Sequence, residues 1–342
     1  MATKQLTLIN QIKDMCTGND VVYQPPKYAR DIMTEEVRTL TLDDTVGACI
    51  RLMKTLGFHH IPLMDIPYEG DKTPYFVGVV SQRDVLRMAP LFLEKTGGKE
   101  VDKRAMRQLL AQVVERETKT VLPKTPIAEV ITTMLDNHID MVPVVVAKEV
   151  VGIITTTDII RVFHKLTKAL HKLCPEVNDS RLPAAANPLR KWISQTVRDI
   201  MSEQVISLMP EDDLFRVVDI MQDSKFRHIP VTDEDGKLQG IISDRDILRY
   251  LHYAGRRPLQ RQKKFRDHLF RADPGFVNLM MPLEMVMTSK VTHILPEASA
   301  HSAAKKLLKS KVGCLPVVDD QNNLTGIVTT ADLMSTLLTI YS

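Results

Sequence analysis

Cysteine is scarce. None of Cys16, Cys49, Cys174 and Cys314 belongs to a CxxC pair or lies beside clustered histidines. That spacing indicates neither a disulfide framework nor a zinc site. Trp192 and Phe270 stand as single aromatics in a chain with 5% aromatic residues, too few for a base-stacking platform. No apolar run approaches the roughly 20 residues that cross a bilayer, and the opening MATKQLTLINQIKDMC has no secretory apolar region. A cytoplasmic protein with no membrane partner is expected. Neither sign of charge dominates, and the net charge of +3 is too small to imply nucleic acid by itself. There is no nucleophile elbow, P-loop or HExxH, and the ten histidines are scattered. No catalytic residue, metal or catalytic cofactor is expected, and the chain is not read as an enzyme.

What the chain has is repetition. GVVSQRD (Gly78–Asp84), GIITTTD (Gly152–Asp158), GIISDRD (Gly240–Asp246) and GIVTTAD (Gly326–Asp332) share one pattern: glycine, two β-branched residues, a hydroxyl, two variable positions, aspartate. Upstream, Pro62, Pro143, Pro230 and Pro316 each follow an apolar residue, and 29 residues before each stand Met33, Val114, Met201 and Met287. Two of these methionines close an RDIM phrase. The proline-to-aspartate spacing is 22, 15, 16 and 16, so repeat one carries an insertion in DIPYEGDKTPYF, as a surface turn tolerates. One supersecondary unit used four times is implied. Each unit is too small to bury much apolar surface alone, so pairing is expected.

Repeat three shows the unit. Val205–Leu208 is β-prone and closed by Pro210; Glu211, Asp212 and Asp213 then open a helix with Leu214, Val217, Val218 and Met221 on one face. HIPVTD and LQGIIS read as a hairpin around DEDGK, and DRDILRYLHYA as a second helix. The order β-α-β-β-α predicts a small α/β (α+β) sandwich. The hydroxyl and aspartate of each phrase read first as a helix capping box, and a helix start with free N–H groups also suits an anion.

The RDIM lead-in, the methionine-to-proline spacing and the G-h-h-[ST]-x-x-D close together resemble cystathionine beta-synthase (CBS) domains. The resemblance covers residues 29–342. It implies four repeats in two tandem pairs, in a disc-like arrangement similar in layout to the gamma subunit of AMP-activated protein kinase. The expected division is an N-terminal extension 1–28, pair one 29–166 (repeats 29–90 and 106–166), a linker 167–196, and pair two 197–342 (repeats 197–254 and 278–342).

The resemblance further implies a regulatory adenine-nucleotide sensor for AMP, ADP or ATP that signals to a separate effector protein. Residues matching Asp84, Asp158, Asp246 and Asp332 hold ribose hydroxyls in that family, and those matching Ser81, Thr155, Ser243 and Thr329 contact phosphate. The early strand, with Thr39, Thr120 and Ser207, lines the adenine. Arg83 and Arg245 precede the aspartate in repeats one and three, where repeats two and four have Thr157 and Ala331. His59-His60 and Arg227-His228 precede the proline in those same odd repeats, where repeats two and four have Asp140-Met141 and Gly313-Cys314. Cations of this kind suit phosphate recognition. Repeat four departs furthest, with His293 and Cys314 at the hydroxyl and basic positions. The basic stretch 255–271 leaves an alternative open, a nucleic-acid-associated or scaffold protein with chiefly structural pairs. The oligomeric state, homodimer included, is also open.

Overall fold

The computed structural model describes residues 23–67, 73–87, 107, 109–112, 118–173, 192–224, 226–253 and 279–341. The basic stretch 255–271, the anchor Val114, Cys16, Cys174 and most of the linker 167–196 lie outside the described residues.

Among those residues each repeat places a helix before a hairpin and a second helix after it. Repeat one has β1 (Leu40–Thr41), α1 (Val46–Leu56), β2 (His60–Asp65), β3 (Tyr75–Ser81) and α2 (Gln82–Arg87). Repeat two has α3 (Ile127–Asp136), β4 (Met141–Val146), β5 (Glu149–Thr155) and α4 (Thr156–Leu173). Repeat three follows with α5 (Leu214–Asp223), β6 (His228–Thr232), β7 (Leu238–Ser243) and α6 (Asp244–Tyr253). Repeat four closes the chain with α7 (Ala300–Ser310), β8 (Cys314–Val318), β9 (Leu324–Thr329) and α8 (Thr330–Tyr341).

The first helices start where the acidic and hydroxyl residues stand. Asp213, Thr45 and Ser299 each accept a backbone N–H from three residues on, a cap worth about 1 kcal/mol.

The initial strand is shorter than the sequence suggests. In repeats two to four it shrinks to one parallel bridge, Val121↔Val144, Leu208↔Val231 or Ile294↔Val317. Each bridging residue donates to the strand proline's carbonyl, as Leu208 does to Pro230, and accepts from a residue two further on. Pro123, Pro210 and Pro296 follow two residues later and stop the strand. Repeat one has Leu42 there instead, and β1 continues to Thr41.

The hairpins share one register. His60↔Ser81, Met141↔Thr155, His228↔Ser243 and Cys314↔Thr329 are equivalent pairs, and a bulge follows the glycine's partner in each. The residue just before each strand is therefore fixed against the phrase. His59, Asp140, Arg227 and Gly313 each accept, at the carbonyl, the N–H of the residue after the hydroxyl.

The repeats do not fold as closed units. The lead-in of repeat one crosses to repeat two, where Thr34 exchanges both backbone hydrogen bonds with Ile153. Ser202 does the same with Ile327, and Thr288 with Ile241, so repeats three and four exchange lead-ins reciprocally. Leu110 donates to Asp44, returning repeat two's lead-in to repeat one. This explains both the methionine and the glycine of the motifs. A Cβ on Gly152 would lie 2.7 Å from Met33 Sδ, and one on Gly326 would lie 2.8 Å from Met201 Sδ. Met287 covers Gly240 in the same way.

Hairpins meet within a pair, where Phe76 donates to Lys148 and Leu324 to Gly236. Helices meet between pairs: α4 packs on α7 and α8, α8 also on α3, and α6 on α1 and α2. The ring runs one, two, four, three. Among the described residues two apolar cores accordingly each join repeats of different pairs. One unites repeats two and four around Phe163, Ile131, Leu315 and Leu337, with Trp192 packed 5.2 Å from the Phe163 ring. The other unites repeats one and three around Met53, Ile61, Val217 and Ile247.

Candidate ligand site between repeats

The hydroxyl–aspartate phrase forms the same closed box four times. Ser81 N and Oγ donate to Asp84 Oδ2 at 2.7 and 2.6 Å. Thr155 does so to Asp158 at 2.9 and 2.6 Å, Ser243 to Asp246 at 3.0 and 2.6 Å, and Thr329 to Asp332 at 2.7 Å for both. In repeats one, three and four the aspartate N–H returns a bond to the hydroxyl. Each box uses one carboxylate oxygen, Oδ2. The capping expected from sequence is thus present.

The second carboxylate oxygen meets different company in different repeats. Asp158 Oδ1 takes Arg161 Nη1 at 2.6 Å. Asp246 Oδ1 instead faces Thr288 Oγ1 at 3.4 Å, a hydroxyl delivered by repeat four's lead-in. Burial pushes the Asp332 carboxyl up, against hydrogen bonds from Thr329 that hold it down. The residue after the lead-in methionine is a hydroxyl in Met33-Thr34, Met201-Ser202 and Met287-Thr288. Sequence reading passed over Thr34, Ser202 and Thr288, although this dipeptide repeat was the available signal.

The early-strand residues are less tightly gathered. Ser207 Oγ accepts from Thr232 Oγ1 at 3.2 Å. Thr39 is exposed at the foot of β1. Thr120 lines a 660 Å³ cleft against α3 with Glu129, Thr132 and Asp136, and neither Thr155 nor Asp158 borders it.

The inner ends of the repeats converge on a charged hub. Arg227 Nη1 pairs with Asp140 of repeat two, and its Nε donates to Asp244 Oδ2 at 3.2 Å. Arg245 Nη2 lies 2.5 Å from His59 Nε2 and its Nη1 is 3.5 Å from the Lys311 carbonyl. His228 covers Gly313, where an added Cβ would meet its Cε1 at 2.9 Å. Burial, with Arg245 and Arg227 beside it, holds His59 down to about 4. Burial likewise holds His228 down to about 4, although Asp244 works against the shift. For Asp244, burial opposes ionisation but Arg227, His228 and His59 outweigh it, so its carboxyl is lowered. Near neutral pH His59 and His228 are therefore neutral imidazoles, set beside the Arg227 and Arg245 guanidiniums and the Asp244 carboxylate. Arg227, His228 and Arg245, the cations of repeat three, meet here with His59 of repeat one, and Asp140 and Asp244 join them. The Arg83 side chain lies outside the described residues, and His60 pairs across the hairpin with Ser81.

A glycine-to-aspartate phrase repeated four times, lead-ins exchanged in pairs and hairpins facing one another define a tandem CBS architecture. The CBS domain family matches residues 29–90, 110–165, 197–253 and 283–339, and the chain belongs to it. Uncharacterized protein MJ1426 of Methanocaldococcus jannaschii is 32% identical over 159 residues, 42% of this chain and 90% of that one. In structure the chain is similar to protein MJ1225 of the same organism, described as a proposed archaeal homologue of the AMP-activated kinase gamma subunit. That match has a TM-score of 0.69 at 19% identity, covering 91% of this chain and 99% of the other. A conserved protein of Pyrococcus horikoshii gives a TM-score of 0.53 at 21% identity, with 91% and 99% covered. At these identities the structural likeness speaks for the fold.

Proposed function

We propose that this chain is a regulatory, non-catalytic sensor of adenine nucleotides in the cytoplasm, reporting occupancy to a separate effector protein. Its units would be pair one, 29–166, and pair two, 197–342, divided by the linker 167–196. The observation that carries the reading is the hydroxyl of one repeat brought to the aspartate of its pair-mate, Thr288 opposite Asp246. A carboxylate oxygen beside a hydroxyl suits a ribose diol, and the start of α6 offers N–H groups to an anion. The box leads directly into the hub, because Asp244 and Arg245 occupy its two variable positions. A nucleotide seated at the box would send its phosphates toward Arg227 and Arg245.

On this reading Asp246 and Asp84 hold ribose, Ser243 and Ser81 border phosphate, and Ser207 and Thr39 border the base. Repeat two, with Thr120, Thr155 and Asp158, would bind less well because Arg161 already takes the second carboxylate oxygen. Repeat four, with Thr329 and Asp332, would be weakest because burial disfavours its carboxylate. Domain rotation within the ring is the signal a partner would read.

The test is thermal denaturation with AMP, ADP, ATP and S-adenosylmethionine, backed by calorimetry. A ligand at about 100 times its Kd stabilises by roughly 2.7 kcal/mol, so a clear rise in Tm is expected. Silence from every adenine ligand at millimolar concentration, in both measurements, would end the reading.

A further inference from the structure

Four equivalent positions, His59, Asp140, Arg227 and Gly313, stand one residue ahead of the hairpins. Each is tied by its carbonyl to the residue after a box hydroxyl. Whatever extends inward from a box therefore arrives among these four residues. Three of them carry no negative charge. The fourth, Asp140, is a carboxylate contributed by pair one, and it grips Arg227 of pair two.

Arg227 is thereby occupied twice, by Asp140 and Asp244, with its side chain 20% exposed. The two acids are not equivalent. Asp244 belongs to the same repeat as Arg227 and receives its Nε, whereas Asp140 crosses from repeat two and takes Nη1. Asp140 is also the more accessible, with 29% of its side chain exposed against 7% for Asp244. An incoming phosphate can displace a partly exposed carboxylate from a guanidinium more readily than a buried one. Until it does so, it meets a fixed negative charge. The repulsion grows with each added phosphate, since charges this close in a partly buried site interact strongly.

We propose that Asp140 is a built-in counter-anion of the hub and a specificity-determining residue that discriminates against longer phosphate chains. It stands in for phosphate on Arg227 when the site is empty, and it penalises a triphosphate more than a monophosphate. This rests on the nucleotide reading above, which it deepens by naming the phosphate length preferred.

The experiment compares the full-length chain with Asp140→Asn, which keeps the shape and one acceptor oxygen while removing the charge. Adenosine, AMP and ATP are titrated calorimetrically against both. Asp140→Asn is expected to raise ATP affinity relative to AMP by roughly tenfold or more, with adenosine unchanged. Arg227→Gln added to it should cancel that gain. Inorganic triphosphate alone should raise the Tm of Asp140→Asn and leave the parent protein's Tm in place. Asp140→Ser provides the same comparison if the asparagine variant folds poorly.

If both proteins bind AMP and the ATP-to-AMP ratio does not change, Asp140 does not select and this proposal falls while the nucleotide reading stands. If no adenine ligand binds either protein but triphosphate still stabilises only the variant, the nucleotide reading falls and the screening role of Asp140 stands. Silence in every arm removes both.

Discussion

At the residue scale each box aspartate does two jobs that mutation can separate. Asp246→Ala removes a cap and a proposed ribose ligand together, so a loss of about 1 kcal/mol in stability is expected whatever it binds. Thr288→Val is cleaner. It leaves the Ser243–Asp246 box intact and deletes only the hydroxyl facing Asp246 Oδ1. A net hydrogen bond is worth about 0.5–1.5 kcal/mol, so nucleotide affinity should fall about two- to tenfold in calorimetry with little change in Tm. Unchanged affinity would remove the lead-in hydroxyl from the site. Asp332→Ala should weaken total binding much less than Asp246→Ala, because burial already disfavours the Asp332 carboxylate. The box was legible in the sequence because its members lie three residues apart, within one helical turn. Thr288 was not, because it reaches Asp246 only after the lead-ins have exchanged.

At the element scale two features await measurement. The first is the methionine–glycine clasp. Gly152→Ala forces its Cβ onto Met33 Sδ, and overpacking of this kind costs about 1–3 kcal/mol. Pairing it with Met33→Ala should recover much of that loss in urea unfolding. Strictly additive losses would show that the clasp does not join the repeats. The second is the seam between α4 and α7, where His164 and His301 stack with centroids 4.6 Å apart and His171 lies 5.3 Å from His301. Thr167 Oγ1 donates to the Phe163 carbonyl, so it accepts from His301 Nδ1 at 2.6 Å. Burial, then His164, His171, Lys305 and Lys168, hold His301 down to about 4. Burial and the same lysines lower His164. A folded pKa below the unfolded value of about 6.5 means the unfolded chain binds more protons between the two. Stability present above pH 6.5 is then lost as pH falls toward 4. Urea midpoints should drop across that window, with His59 and His228 adding in the same sense. His301→Asn should flatten the slope, and an identical slope in the variant would contradict this account. Helical periodicity revealed these helices, but not which helix faces which, because that depends on contacts between pairs.

At the scale of the whole molecule, recurrence made the fold readable before any coordinate. Four phrases, four prolines and a constant spacing sufficed for four β-α-β-β-α units. The hub was half legible. Arg227, His228 and Arg245 stood out as cations recurring where phosphate recognition would place them. His59 stood beside His60 in the same basic pattern, whereas Asp140 gained meaning only when the ring brought one residue from each repeat to its centre. The first strands were overread because β-prone residues such as Val205–Leu208 meet a proline before they can pair beyond a single bridge. The account's central claim is that a nucleotide lies between the paired repeats with its phosphates toward that centre. A crystal structure of the full chain with AMP tests it most directly. The account predicts ribose density between Asp246 and Thr288, with the phosphate within hydrogen-bonding reach of Arg227 or Arg245. AMP seated instead in the cleft between Thr120 and the outer face of α3, with the Asp246 box and the hub empty, would contradict it.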